Sequence, residues 1–194
     1  VCAVLFMATP PPEEFGDFRV AYKELYLRKA TSTMFGIEAE REIGDYNFED
    51  FLIDAHGGRL TELATGKKPR EYYEEELKKR GIRSNKSGSR FNDACDVPEI
   101  REEALRDWLR IRVTGTPTLY VVPHACPNLC RDMRAFKKTP SPRGKQPTYK
   151  GRLGPDTHLV ECLEYGAAHG RDYSPPVEVF KETWQDRVLA SWKA

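Results

Sequence analysis

The chain has 194 residues, 39% hydrophobic and 31% charged, which is enough for one well-buried domain under a heavily charged surface. Its 31 Lys and Arg nearly cancel 30 Asp and Glu, leaving a formal charge of +1, so net charge alone points to neither a nucleic-acid nor a membrane partner. The five cysteines are odd in number and irregularly spaced, which argues against a disulfide framework and for a reducing compartment; no apolar run approaches a membrane span, and the N-terminus lacks the basic start of a signal peptide.

Residues 2–8 read as a buried strand closed by the turn-prone TPPPEEFGD, and Phe18 to Arg28 read as a second strand, the short linker implying a hairpin. The opening is abrupt, already inside a strand-like run, and reads as a chain cut from something longer. A helix is expected from Thr33 to Ile43, capped by Thr31 or Ser32. Residues 50–54, DFLID, form a short apolar strand that ends in Asp54 and runs into AHGGR. From Pro69 to Arg80 the order Glu-rich then Lys/Arg-rich, with a stop at Gly81, predicts a helix whose charges oppose its macrodipole.

SNKSGSR is a polar loop. A further helix is expected from Asp96, paired with Glu99 in a capping box, to Arg112, with Val97, Ile100, Ala104, Trp108 and Ile111 on one apolar face. TLYVVP reads as a strand and CPNLCRDMRAF as a helix opened by Pro127. Residues 137–152 hold six basic residues and no acid, a cationic loop. GPDTHLVECLEY then opens a helix to Ala168, and residues 170–194 form a Pro-interrupted tail with a short amphipathic helix carrying Trp184, Val188 and Trp192. The order of elements implies an α/β architecture, a mixed sheet between helices, in which sites form where the carboxyl ends of strands meet neighbouring helices.

Two segments stand out chemically. Asp54 ends a strand before small residues, where a metal and a phosphate can approach, although a strand-end Asp before Gly is also an ordinary turn cap. In the second segment Asp156 lies at or near an N-cap, His158 and Glu161 share a face with Tyr165 one turn on, and Leu159 and Leu163 make the apolar stripe. Alone, this too is accounted for by a capped helix with solvated charges. Together, carboxylates from separate elements suit hard cations such as Mg²⁺ or Mn²⁺, and two such ions roughly 4 Å apart activate a water and stabilise the leaving oxygen of a phosphodiester. Lys137, Lys138, Arg143, Lys145, Lys150 and Arg152 would then hold a phosphate backbone without reading sequence. His124, Cys126 and Cys130 lack the spacing and the fourth ligand of a zinc site, and nothing marks a cysteine as an activated nucleophile.

From residue 2 to Ala168 the chain resembles the C-terminal nuclease domain of tailed-bacteriophage terminase large subunits, through YKELYLRK, FLIDAHGGR, YYEEELKKRGI, REEALRDWL, LYVVPHACPNLCRDMRAF, the basic loop and GPDTHLVECLEYGAAH, in that order. The resemblance implies a ribonuclease-H-like fold, a mixed β-sheet flanked by helices on both faces, over residues 1–169. It also implies a metal-dependent endonuclease that cuts concatemeric viral double-stranded DNA with little sequence preference during packaging. Asp54 would be the second active-site acid, and Asp156, His158 and Glu161 the final cluster. Asp54, Asp156 and Glu161 would ligate one or two Mg²⁺ or Mn²⁺ ions, and Asp54, His158 and Glu161 would carry the chemistry. Glu161 stands where Asp is more usual, keeping the charge on an arm one methylene longer.

The family's first catalytic Asp lies on its first strand, and no acid precedes Glu13 here. Of the acids nearby, Asp17 falls in a turn and Glu24 mid-strand, neither where that Asp belongs, so weak metal binding and poor cutting are expected of this chain. No Gly-rich phosphate loop with Lys-Ser/Thr is present, so ATP hydrolysis is not expected. The implied partners are DNA, a portal and a small terminase subunit, in the host cytoplasm, with no membrane. Two other readings stay open: a catalytically silent DNA- or portal-docking module, and another ribonuclease-H-like enzyme such as a junction resolvase or transposase.

Overall fold

The computed structural model describes residues 1–170 apart from 17, 44, 45, 47, 60, 62–64, 114, 139–151 and 154–156, with 14, 15, 59, 137, 138, 152 and 153 described by their backbone alone. The expected amphipathic tail, residues 170–194, lies outside this range beyond its first residue.

Strand β1 (Cys2–Ala8) and strand β2 (Arg19–Leu27) form the expected antiparallel pair, joined through a short helix α1 (Pro12–Phe15). Strand β5 (Leu119–Val121) adds to the other side of β2 in parallel, giving the order β1-β2-β5. Strands β3 (Leu52–Ile53) and β4 (Asn92–Asp93) make a separate parallel ribbon, and β6 (Lys137–Lys138) pairs antiparallel with β7 (Arg152–Leu153). The fold is therefore mixed α/β with a small mixed sheet.

Period-two alternation divides β1 between two cores. Cys2, Val4 and Phe6 pack with helix α2 (Ser32–Ile43) and helix α4 (Pro69–Lys79), around Phe35, Ala39, Ile43 and Leu77. Ala3, Leu5 and Met7 face helices α5 (Pro98–Leu109), α6 (Pro127–Ala135) and α7 (His158–His169), around Leu105, Leu129, Leu159 and Leu163. In β2 the alternation is interrupted. Phe6 pairs with Lys23 and Met7 with Ala21, so Tyr22 is an extra residue, a β-bulge. Tyr22 and Lys23 both turn toward α2, where Lys23 pairs with Glu42 at 2.9 Å. Beyond the bulge Glu24 emerges on the opposite face, opposite Leu5.

That placement fixes α6. Pro127 suits the first turn of a helix, but Cys126 before it supplies no side-chain cap. Glu24 does so from the sheet: its carboxylate accepts from the backbone N–H of Asn128 at 2.7 Å and of Leu129 at 2.8 Å, and from the Asn128 side chain at 2.7 Å. Glu24 is thus a cap committed to α6. Cys126 is fully buried, its thiol donating to the Ala21 carbonyl at 3.6 Å.

Elsewhere the expected caps divide. Thr31 caps α2 as expected, accepting from the Met34 N–H at 3.2 Å. The capping box at Asp96 and Glu99 does not form. Helix α5 starts two residues later at Pro98, because proline pushes the residue before it out of the helical region, and Val97 is extended (φ −84°, ψ 107°). Its buried line is also displaced from the expected stripe: Leu105 is buried, Ala104 and Trp108 pack at the margin, and Val97, Ile100 and Ile111 are 42%, 51% and 69% exposed.

Candidate active site

Asp54 follows β3 and opens the short helix α3 (Ala55–Arg59). Its Oδ1 accepts from the His56 N–H at 3.2 Å, its Oδ2 from the Gly57 N–H at 2.9 Å, and its carbonyl from the Gly58 N–H at 2.8 Å. This is the N-cap arrangement that a strand-end Asp before small residues predicts. The close wrap requires Gly57, since a Cβ there would lie 2.7 Å from Asp54 Oδ2.

The carboxylate also has a distant partner. The Tyr165 hydroxyl of α7 donates to Asp54 Oδ1 at 3.0 Å. Helix α7 reaches this position because Leu159, Val160, Leu163 and Ala167 anchor its apolar face in the core, leaving His158, Glu161 and Tyr165 half-buried along another face. A second tie lies one turn further on, where His169 approaches Asp50 Oδ2 at 3.3 Å, while Asp50 Oδ1 accepts from the Asn92 side chain at 2.7 Å. The C-terminal half of α7 is thereby fastened to the β3–β4 ribbon at two points.

Two side chains of α7 feel both described acids, and Tyr165 also feels Arg101. Burial holds the Tyr165 hydroxyl above its ordinary range, the Asp54 charge adds to the effect, the Arg101 charge opposes it, and Glu161 adds to it again. The Cys162 thiol is pushed up to about 12, by burial first and then by Glu161, with Cys2 and Asp54 contributing. Both carboxylates therefore act on the same two side chains.

An unheralded neighbour is Arg101 of α5, whose guanidinium carbon lies 4.7 Å from the centre of the Tyr165 ring. Nothing local in the sequence singles it out, because its significance depends on α5 packing against α7.

Of the residues expected at the site, Asp54 is tied through Tyr165 to α7, the helix that also carries His158 at its start and Glu161 one turn before Tyr165. Asp156 lies outside the described residues, as do Arg143, Lys145 and Lys150. Lys137, Lys138 and Arg152 are described by backbone: they form β6 and β7, with Lys138 opposite Arg152, at the ends of the expected basic loop. Among the described residues no three His, Cys, Asp or Glu side chains gather as metal ligands. The chemistry of the donor set nonetheless suits a hard cation. Oδ1 of Asp54 already accepts two hydrogen bonds, while Oδ2 accepts one and keeps a lone pair.

No helix among the described residues is long and apolar enough to cross a membrane. Compared with known proteins, the chain matches no protein-family model, no curated protein and no solved structure.

Proposed function

We propose that this chain is the metal-dependent endonuclease domain of a phage DNA-packaging terminase, with a ribonuclease-H-like fold. The observation that carries the reading is the hydrogen bond between Asp54 and Tyr165, which joins the strand-end acid to the helix bearing His158 and Glu161 across 111 residues. The topology supports the fold. Strand β1 is an edge strand and β3–β4 a separate parallel ribbon among the described residues, while Phe6 of β1 and Phe48 just ahead of β3 pack at 5.8 Å. Helices pack on both faces of the small mixed sheet, α2 and α4 on one side and α5, α6 and α7 on the other, the arrangement that fold has.

Asp54, Asp156 and Glu161 would hold Mg²⁺ or Mn²⁺. Bound there, the cation supplies Lewis-acid stabilisation of charge on a phosphodiester. His158 would orient the attacking water or take its proton. The basic residues at β6 and β7 and between them would hold the DNA backbone non-specifically.

The hydrogen bonds that Asp54 accepts as a cap favour a second reading, a silent DNA- or portal-docking module of the same fold. Nicking of supercoiled plasmid with Mn²⁺ tests the choice. Slow nicking that disappears in Asp54→Asn, with a Mn²⁺-dependent rise in Tm lost in the same variant, supports the nuclease. DNA binding with neither nicking nor a metal-induced shift supports the module.

A further inference from the structure

We propose that Arg101 is a phosphate-binding residue of the Asp54 site, an assignment that rests on the nuclease reading for the identity of its ligand. Arg101 lies over the Tyr165 ring. The guanidinium lies 4.7 Å from the Tyr165 ring centre, and the ring hydroxyl is bonded to Asp54. A cation–ring contact uses no N–H donor, so the guanidinium donors stay available for a ligand. Its Nε is buried without a hydrogen-bond partner, an unfavourable state for a donor.

Asp54 is bonded to the ring under Arg101, yet it takes its hydrogen bonds from Tyr165 and the α3 backbone rather than from this guanidinium. Arg19 and Arg80 also bury an Nε without a partner, but each uses another nitrogen: Arg19 donates to the Phe18 carbonyl at 3.1 Å, and Arg80 pairs with Glu40. Arg101 is therefore a fixed cation beside an acidic site, with its fork of donors unspent. A planar fork suits a phosphate oxygen pair, and the surrounding acids, once neutralised by a cation, would leave Arg101 the group facing a backbone phosphate.

The test measures duplex binding without relying on cleavage. Affinity for a short fluorescent DNA duplex is titrated against salt, with Ca²⁺ in place of Mg²⁺ or Mn²⁺. Arg101→Met keeps the apolar stem and removes the charge, whereas Arg101→Lys keeps the charge. The Met variant should bind about tenfold more weakly, and its slope of log K against log salt should shrink by about 0.9, the loss of one phosphate contact; the Lys variant should keep the slope. A role confined to propping Tyr165 would move the melting temperature but not the slope. A Met variant with wild-type slope and affinity overturns the assignment, and so does a Lys variant that loses the slope as fully as Met. Should the wild-type chain show neither nicking nor a Mn²⁺-induced rise in Tm while these slope changes appear, the nuclease reading falls and the phosphate site stands. Should Asp54-dependent nicking appear with an unchanged slope in Arg101→Met, the phosphate site falls and the nuclease reading stands.

Discussion

The phenol of Tyr165 donates to Oδ1 of Asp54 at 3.0 Å, so one carboxylate both caps α3 and anchors α7. Both oxygens of Asp54 accept, so Asn keeps only part of the set: its oxygen can serve His56 and Tyr165, but its NH2 cannot accept from the Gly57 N–H. Asp54→Asn, which keeps one oxygen, should cost about 1 kcal/mol of stability, while Asp54→Ala, which strands the His56 and Gly57 N–H groups and the Tyr165 hydroxyl, should cost about 2–3 kcal/mol. Urea denaturation of the two variants compares them. Equal losses would mean that the cap contributes nothing.

Glu24 performs the same service for α6 from the middle of β2. Glu24→Ala leaves the Asn128 and Leu129 N–H groups without their acceptor and should destabilise the protein by about 2–3 kcal/mol, against about 1 kcal/mol for Glu24→Gln, which keeps one oxygen. A denaturation midpoint for Glu24→Ala within error of wild type would contradict the capping role.

Gly57 reverses a familiar sign. Replacing a helical Gly by Ala ordinarily stabilises by up to about 1 kcal/mol. Here the new Cβ would sit 2.7 Å from Asp54 Oδ2, so Gly57→Ala should instead destabilise by about 1–2 kcal/mol and displace the carboxylate. Gly58→Ala, whose Cβ would meet Ile53 no closer than 3.4 Å, is the control and should be near neutral.

Alkaline pH should weaken the fold. Burial raises the thiols of Cys2, Cys126 and Cys162 from 9.0 to about 11, about 12 and about 12, so the native state holds protons that the unfolded chain releases first. The stabilisation is complete below the unfolded value of 9.0 and drains away as pH climbs toward 12. Burial raises the hydroxyls of Tyr22 and Tyr165 as well, in the same sense. Melting temperatures should therefore fall steeply above about pH 9, and a flat profile across that range would refute the linkage.

Much of the scaffold is legible in the sequence because its signals are local. Alternation in β1, the Thr31 cap of α2, the charge order of α4, Pro127 before α6 and the Leu159–Leu163 stripe of α7 all act within a few residues. The start of α5 departs from the Asp96–Glu99 spacing because the backbone restriction that Pro98 places on Val97 outweighs a side-chain cap. Its buried line is displaced around the helix because the packing against α7 decides which residues are covered. At the site, Asp54 is visible as a strand-end acid before glycines. Its bond to Tyr165 and the approach of Arg101 are not, because each depends on where separate helices dock.

The bulge at Tyr22 gives β2 one residue of slack. Ala21 remains opposite Met7 and Lys23 opposite Phe6 whether or not a residue lies between them. A deletion at this point shortens the strand yet leaves Glu24 under α6 and Leu25 under α2, losing only what Tyr22 itself packs against. A deletion between Glu24 and Leu27 has no such reserve: it turns part of the strand over, exchanging the residues that the two helical layers receive. Length changes in this protein should therefore be tolerated at one position of its longest strand and rejected along the rest of it.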